Sequence, residues 1–143
     1  MVSFIKNTGV IMSRLTERIE NFNRAFALFM NMQKNYISDR KNDSNKLALT
    51  QSFEITFELG WKILKDYLYT KDIEVFTPRD AVKSAFEANI LPSAQIWIDM
   101  AKDRNASSHE YNMDKIDLML ERISTVYFDE LFRFQKSLRD FNE

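Results

Sequence analysis

Apolar side chains recur every three or four residues along most of the chain, which is the repeat of an α-helix with one face against a core. The first such stripe runs through residues 11–38 and the last through residues 113–140. Residues 44–70 carry two adjacent apolar rows, so their apolar face is the widest of the three. The pattern predicts three long helices, with the second at the centre of a helical bundle.

Two shorter helices are predicted between the second and the last long helix. The first begins at residues 77–80, where Thr77 can cap the helix and Pro78 occupies its first position. The second begins after residues 91–93 and is expected to end near Ser107, because the serine side chains there compete for backbone hydrogen bonds. Short connections between long helices indicate an all-α, up-and-down antiparallel bundle of four to five helices.

The composition is that of one globular domain. With 143 residues, of which 45% are hydrophobic, the chain can bury one core but not two comfortable ones. Only two glycines and two prolines occur, too few for the turns of a many-stranded β fold. We expect a single domain over residues 1–143, in which residues 1–10 form a poorly ordered lead-in.

The charges are balanced, which narrows the possible functions. Twenty basic and 21 acidic residues give a net charge of −1, which disfavours a broad grip on nucleic acid but allows a local basic pocket. With no cysteine and one histidine, a single chain lacks thiolate chemistry and a soft-ligand zinc site, so we expect neither metal nor cofactor. The apolar runs are too short for a membrane span and the first residues lack a signal-peptide core, so a cytoplasmic location is expected.

Residues 104–111 concentrate side chains that are suited to chemistry. They include the only histidine, His109, and an imidazole can take up and release a proton near neutral pH. Arg104 lies five residues earlier, and its planar guanidinium suits a phosphate. On an unbroken helix the two would lie about 140° apart, so we predict that the helix ends between them and that His109 folds back. On spacing alone, a surface or capping histidine is favoured, with Arg104 paired to Asp103 or Glu110.

An arginine and a histidine without metal or cysteine suit the cleavage of RNA. The histidine can act as a base on a ribose 2′-hydroxyl while the arginine stabilises charge on the phosphorane. The leaving oxygen also needs an acid, and one chain has no second histidine. A two-fold dimer would supply it by bringing both copies of the segment into one cleft.

That segment resembles the Arg-x4–6-His motif of the HEPN superfamily, in the form Arg-x4-His-x-Tyr, with Asn105 as the polar residue that follows the arginine. Residues 51–62 resemble the second-helix signature of the nucleotidyltransferase substrate-binding branch of this superfamily. The helix start at residues 77–80 and the position of Trp97 also fit. The resemblance covers residues 11–140, and several blocks in the right order make it far more specific than the bare motif.

The resemblance implies a homodimer with metal-independent endoribonuclease activity, acting as the toxin of a type VII-like toxin–antitoxin pair. It implies a small nucleotidyltransferase as the antitoxin, which transfers AMP from ATP to the motif tyrosine. Carried over to this sequence, Arg104 and His109 are catalytic, Asn105 supports them, and Tyr111 is the modification site.

A second interpretation belongs to a different class of protein. The chain could be a non-catalytic subunit that completes a nucleotidyltransferase and helps to bind its substrate. The intact motif favours the toxin, because a structural subunit does not need all three side chains together. The near-neutral net charge mildly favours the binding subunit, since RNA affinity depends on phosphate contacts.

The second helix carries two further features. Glu54 and Glu58 lie one turn apart, and we predict that Glu58 pairs with Lys62 while Glu54 faces solvent or a partner subunit. Gly60 stands in the middle of the helix, where glycine costs about 1 kcal/mol relative to alanine. We therefore predict that a neighbouring helix approaches closely at this position.

Overall fold

The computed structural model describes residues 8–109 and 112–142, and every regular element within these ranges is helical. This confirms the prediction of an all-α bundle. The α-helices, in chain order, are α1 (Thr8–Ser38), α2 (Asp43–Thr70), α3 (Pro78–Glu87), α4 (Gln95–Ser107), α5 (Met113–Arg122) and α6 (Phe128–Ser137). A π-helical turn, Ile123–Tyr127, joins α5 to α6, and a 3-10 turn, Leu138–Asn142, follows α6.

The predicted helix boundaries agree with the structure to within a few residues. Helix α1 begins at Thr8, so residues 8–10 of the expected lead-in are helical, and residues 1–7 lie outside the described residues. At α3, the Thr77 hydroxyl accepts a hydrogen bond from the Asp80 N–H at 3.1 Å, as its capping role requires. None of the helices that the structure describes is long and apolar enough to cross a membrane.

Helices α1 and α2 form a hairpin closed by a short polar connection. The Asn42 side chain caps α2 by accepting a hydrogen bond from the Asn45 N–H at 2.9 Å. The Asn45 amide in turn donates to the carbonyls of Asn35 and Asp39, at 3.0 and 3.2 Å. Backbone groups left over at the two helix ends are thus satisfied by side chains. Helix α2 also contacts α3, α4, α5 and the π turn, which confirms its central position.

Aromatic rings fill the core where the hairpin meets the C-terminal helices. They come from α1, α2, α4 and α6, and all are at most 1% exposed: Phe22, Phe26, Phe29, Phe53, Phe57, Trp97 and Phe134. The Trp97 ring meets that of Phe134 edge to face, with centroids 4.9 Å apart, and lies 6.0 Å from that of Phe57. Trp97 therefore attaches α4 to the centre of the bundle.

At Gly60, the backbone of α2 lies against the Trp97 ring of α4. A Cβ atom added at Gly60 would lie 3.3 Å from Trp97 Cη2 and 3.4 Å from Phe22 Cε2. The glycine thus makes room for the indole ring, so the neighbour predicted at this position is a side chain of α4 and not its backbone. Its cost in helix propensity is offset by the burial of a large aromatic side chain.

The long C-terminal helix predicted over residues 113–140 is continuous but contains the π turn. There, the Phe128 N–H donates to the Ile123 carbonyl, five residues back instead of four. The neighbouring Ser124 carbonyl accepts a hydrogen bond from Gln33 Nε2 of α1, at 2.9 Å. The extra residue changes the direction of the side chains on either side of the turn, an effect that apolar periodicity does not reveal.

We predict that Gly60→Ala destabilises the fold although alanine is the better helix former. Trp97 and Phe22 are fully buried, so neither ring can withdraw from the new methyl group without disturbing the core. Overpacking costs about 1–3 kcal/mol and the propensity gain is about 1 kcal/mol, so we expect a net loss of about 1 kcal/mol in the free energy of unfolding. Urea denaturation followed by circular dichroism measures it.

The second glycine provides the control for this variant. Gly9 is exposed in the first turn of α1, so Gly9→Ala adds a methyl group in solvent and should leave the stability unchanged or slightly higher. A Gly60→Ala protein as stable as the wild type would contradict the tight contact with Trp97.

Candidate active site

Arg104 lies in the last turn of α4, with its side chain directed toward α2. Its Nη1 atom is 3.2 Å from Oε2 of Glu54 and 3.3 Å from the Ser108 hydroxyl. The Arg104 side chain is 33% exposed and that of Glu54 is 20% exposed. The ion pair is therefore partly shielded from solvent, and its attraction is screened less than that of a fully exposed pair.

Glu54 is the functional candidate that the sequence analysis missed. Besides Arg104, its Oε2 atom accepts a hydrogen bond from the Ser107 hydroxyl at 2.7 Å. The prediction that Glu54 faces solvent is wrong, because packing of α4 on α2 leaves its side chain only 20% exposed. The alternative of a partner subunit at this position stays a prediction. The Glu58–Lys62 pair is confirmed, with 3.5 Å between Glu58 Oε1 and Lys62 Nζ. Glu58 has a lysine one turn further along the helix, whereas Glu54 has none within a turn, and the sequence does not show which residue of another helix it meets.

Asp103, next to Arg104, is held by the C-terminal helices. Its two carboxylate oxygens accept hydrogen bonds from Nε and Nη2 of Arg122, at 2.8 and 3.0 Å, and Oδ2 also accepts the Tyr127 hydroxyl at 2.6 Å. Burial, together with the bond to the Asp103 carboxylate, raises the pKa of Tyr127 above its ordinary value. The same carboxylate raises the pKa of Arg122.

These contacts exclude the alternative in which Arg104 pairs with Asp103. Successive residues of a helix point about 100° apart, so Asp103 reaches the C-terminal helices while Arg104 reaches α2. The end of α4 is thereby fastened on two sides. Glu110, the other partner considered for Arg104, lies outside the described residues.

His109 follows α4 in an exposed turn. Its backbone N–H donates to the Ala106 carbonyl at 3.0 Å, and the helix ends at Ser107, which confirms that α4 stops between Arg104 and His109. Within the described part of the chain, no hydrogen bond joins the side chains of Arg104 and His109. Asn105 is also exposed, on the last turn of α4. Tyr111 lies outside the described residues.

An open groove runs along α2 beside Arg104. It has a volume of about 560 Å³, and its lining residues are Gln51, Glu54, Ile55, Glu58, Leu59 and Arg104. A second, mainly apolar groove of about 260 Å³ is lined by Asp43, Lys46, Leu47, Thr50, Ser107, Ile116 and Met119. Ser107 lines this second groove and also bonds Glu54, so the two grooves are neighbours.

Three large apolar side chains of α2 and α5 are exposed, and two of them, Leu47 and Ile55, line these grooves. Leu47 and Ile55 of α2 are 61% and 53% exposed, and Leu118 of α5 is 63% exposed. Leu47 and Leu118 each follow one member of the Lys46–Asp117 ion pair, which links α2 to α5 at 2.9 Å. We call Leu47, Ile55 and Leu118 the apolar surface.

The arrangement combines a cation, an imidazole and an open groove at the end of one helix. Arg104 has further N–H donors beyond Nη1 with which to hold an anion such as a phosphate. His109 is exposed a few residues away and can exchange a proton with a bound molecule. Such a site is suited to the binding of a phosphate ester and to proton transfer at it.

The helical bundle, with the Arg-x4-His pattern where its fourth helix ends, agrees with the resemblance to the HEPN superfamily, and the sequence comparisons support the same class. The family model described as nucleotidyltransferase substrate binding protein like matches residues 17–140. The chain therefore belongs to this family, whose members are HEPN-like.

Two known proteins resemble the chain over most of its length. A probable ribonuclease HepT of Haemophilus influenzae is 24% identical over 145 residues, which cover 90% of this chain and 98% of that protein. A crystal structure of a protein from Thermus thermophilus superposes with a TM-score of 0.60, at 24% identity, and covers 84% of this chain and 94% of its own. The second likeness supports the fold alone.

Proposed function

We propose that this protein is the toxin of a type VII-like toxin–antitoxin pair, a metal-independent endoribonuclease that uses Arg104, His109 and Asn105. The observation that carries the proposal is the position of Arg104, which Glu54 contacts at a single nitrogen beside an open groove. His109 is exposed just beyond the same helix. The similarity to a probable ribonuclease HepT supports the same activity.

In this mechanism the imidazole of His109 removes the proton of a ribose 2′-hydroxyl. The 2′-oxygen attacks the adjacent phosphorus, and Arg104 stabilises the negative charge that develops on the phosphorane oxygens. The 5′-oxygen then leaves with a proton from an acid. The products are a 2′,3′-cyclic phosphate and a 5′-hydroxyl, and Asn105 supports the phosphate from the exposed side of α4.

The acid in this scheme is the histidine of a second copy of the chain. The chain has one histidine, so a site that contains both a base and an acid imidazole needs two chains. The apolar surface beside the grooves supports such an assembly, since exposed apolar side chains near a site are typical of an interface.

The proposed antitoxin is a small nucleotidyltransferase that transfers AMP from ATP to Tyr111. Tyr111 is two positions beyond His109 in the sequence. An AMP group there would add a negative phosphate and a bulky base beside the cleft, and both would repel or obstruct RNA. Modification of one residue would thus switch off the ribonuclease.

The second candidate function is a non-catalytic subunit that binds the substrate of a nucleotidyltransferase. The family description and the net charge of −1 favour it. The two functions share the fold and the type of partner. They differ in whether the purified protein cleaves RNA by itself.

We predict that the purified protein cleaves RNA in the presence of a chelator and leaves 2′,3′-cyclic phosphate ends. Arg104→Ala and His109→Ala should each slow cleavage by about 100-fold or more, the usual cost of losing a transition-state donor or an acid–base group. Gel analysis of a labelled RNA measures the rate, and end-group analysis identifies the product. Circular dichroism should show unchanged helicity in both variants.

Lys102→Ala is the control for lost charge, because Lys102 is an exposed cation on the same helix. It should retain most of the activity. Cleavage that stops with chelator and returns with magnesium would contradict the mechanism, and full activity of either main variant would move the site elsewhere.

We predict that the active species is a homodimer of the 17.0 kDa chain. Leu47→Glu and Leu118→Glu, which place charges on the apolar surface, should shift the mass measured by light scattering from dimer to monomer and abolish cleavage at the same protein concentration. Phe86→Glu is the matched control, because Phe86 is 47% exposed on α3, outside the apolar surface. An active wild-type monomer at assay concentration would overturn the shared site.

We predict that the cognate nucleotidyltransferase and ATP add mass in steps of one AMP at Tyr111 and inactivate the ribonuclease. Tyr111→Phe should keep much of the cleavage activity, because neither proton transfer uses the phenol, and it should escape inactivation. Intact-mass and peptide mass spectrometry locate the label. If Tyr111→Phe is still labelled and silenced, the switch is another residue; if the wild type is never labelled, the substrate-binding function gains support.

A further inference from the structure

The contact between Glu54 and Arg104 joins two helices at the candidate site, although a carboxylate beside a phosphate-binding arginine repels phosphate. Glu54 lies on α2 and Arg104 on α4, 50 positions apart in the sequence. We propose that Glu54 is a positioning residue: it anchors one nitrogen of the Arg104 guanidinium so that the other donors are directed at the scissile phosphate. This inference rests on the ribonuclease function proposed above.

The geometry leaves most of the guanidinium available. Only Nη1 contacts Glu54, at 3.2 Å, and the same nitrogen contacts the Ser108 hydroxyl at 3.3 Å. Within the described residues, Nε and Nη2 of Arg104 make no recorded hydrogen bond. A planar guanidinium held at one corner keeps a two-nitrogen edge for a phosphate, which it can bind through two parallel N–H bonds.

In two other ion pairs of the chain, a carboxylate bonds both Nε and Nη2 along one edge of the guanidinium. Glu130 accepts bonds from both Nε and Nη2 of Arg133, at 2.7 to 2.9 Å. Asp103 does the same with Arg122, at 2.8 and 3.0 Å. In both cases the edge that would meet a phosphate is taken. The single, longer contact of Glu54 is that of an anchor and not of a competitor for the phosphate site.

The anchor is itself held in place. The Ser107 hydroxyl donates to the same Oε2 atom of Glu54, at 2.7 Å. Because the Glu54 side chain is mostly covered, it has few alternative positions. A long arginine side chain at a helix end has many rotamers, and holding one of them in advance removes an ordering cost from the transition state. Glu54 and Ser107 together therefore restrict Arg104 before RNA binds.

The test compares Glu54→Ala with Glu58→Ala in the full-length protein, using a short labelled RNA. Glu58 is the matched control, because it lies one turn further along α2, lines the same groove and pairs with Lys62 instead of Arg104. For Glu54→Ala we expect kcat to fall by about 10- to 100-fold, the range for a catalytic group that is misplaced by up to ~1 Å. KM should stay equal or fall, because a negative charge beside the RNA phosphates is removed.

Glu54→Gln is expected to have an intermediate effect on kcat. The amide oxygen can still accept a bond from Nη1, but a neutral acceptor binds a guanidinium more weakly than a carboxylate does. Its kcat should therefore lie between those of the wild type and Glu54→Ala. A merely structural role would lower the amount of folded protein without this separation of kcat from KM.

A second measurement does not depend on activity. The NMR signals of arginine side-chain N–H groups report whether the guanidinium rotates freely, and Arg104→Lys identifies the signal of Arg104. We expect restricted rotation in the wild type and in Glu58→Ala, and free rotation in Glu54→Ala.

The outcomes separate this inference from the proposed function. A kcat that rises in Glu54→Ala would make Glu54 a competitor for the phosphate site and overturn the positioning role, as would an unchanged kcat. If the wild type cleaves no RNA, the ribonuclease function fails. The NMR measurement then still shows whether Glu54 restricts the Arg104 side chain. Free rotation of the Arg104 guanidinium in the wild type would overturn the positioning role of Glu54.

Discussion

The contact between Trp97 and Gly60 determines where the candidate site lies. A single residue without a side chain on α2 admits the indole ring of α4, which then packs against Phe57 and Phe134. This burial docks α4 across the centre of the bundle, and the residues two turns further along it become the site. Because interiors are close-packed, a shift of this one contact would displace the whole end of α4. The geometry of the candidate site is therefore a consequence of core packing.

Asp103 and Arg104, neighbours at the end of α4, differ in how fully their side chains are bonded. Asp103 is fully occupied by Arg122 and Tyr127, and it fastens the backbone of α4 to the C-terminal helices. The π turn begins directly after Arg122 and ends at Tyr127, so it sets the direction in which the second partner points relative to the first. Arg104 is held at one nitrogen only. The result is a rigid backbone that presents a partly available cation, which is the combination that preorganised phosphate binding requires.

Membership of a nucleotidyltransferase substrate binding protein-like family is compatible with both catalysis and binding. The local geometry is what bears on the choice. An arginine with unused donors, an exposed imidazole and an open groove are features that a reacting site needs, and they support the catalytic alternative. If the protein is a ribonuclease, as proposed, its near-neutral net charge means that this small area, and not a broad basic face, would bind the RNA.

The sequence by itself determined the features that depend on neighbours along the chain. Helix periodicity, the cap at Thr77 and the Glu58–Lys62 pair all involve residues within one or two turns, and the motif residues are read directly. Only the tertiary structure decided that Glu54, 50 positions from Arg104, is its partner, and that Asp103 is held from 19 and 24 positions away. The physical reason is that such pairs arise from the packing of one helix on another, and a repeat along one helix carries no information about which residue of the next helix it will meet.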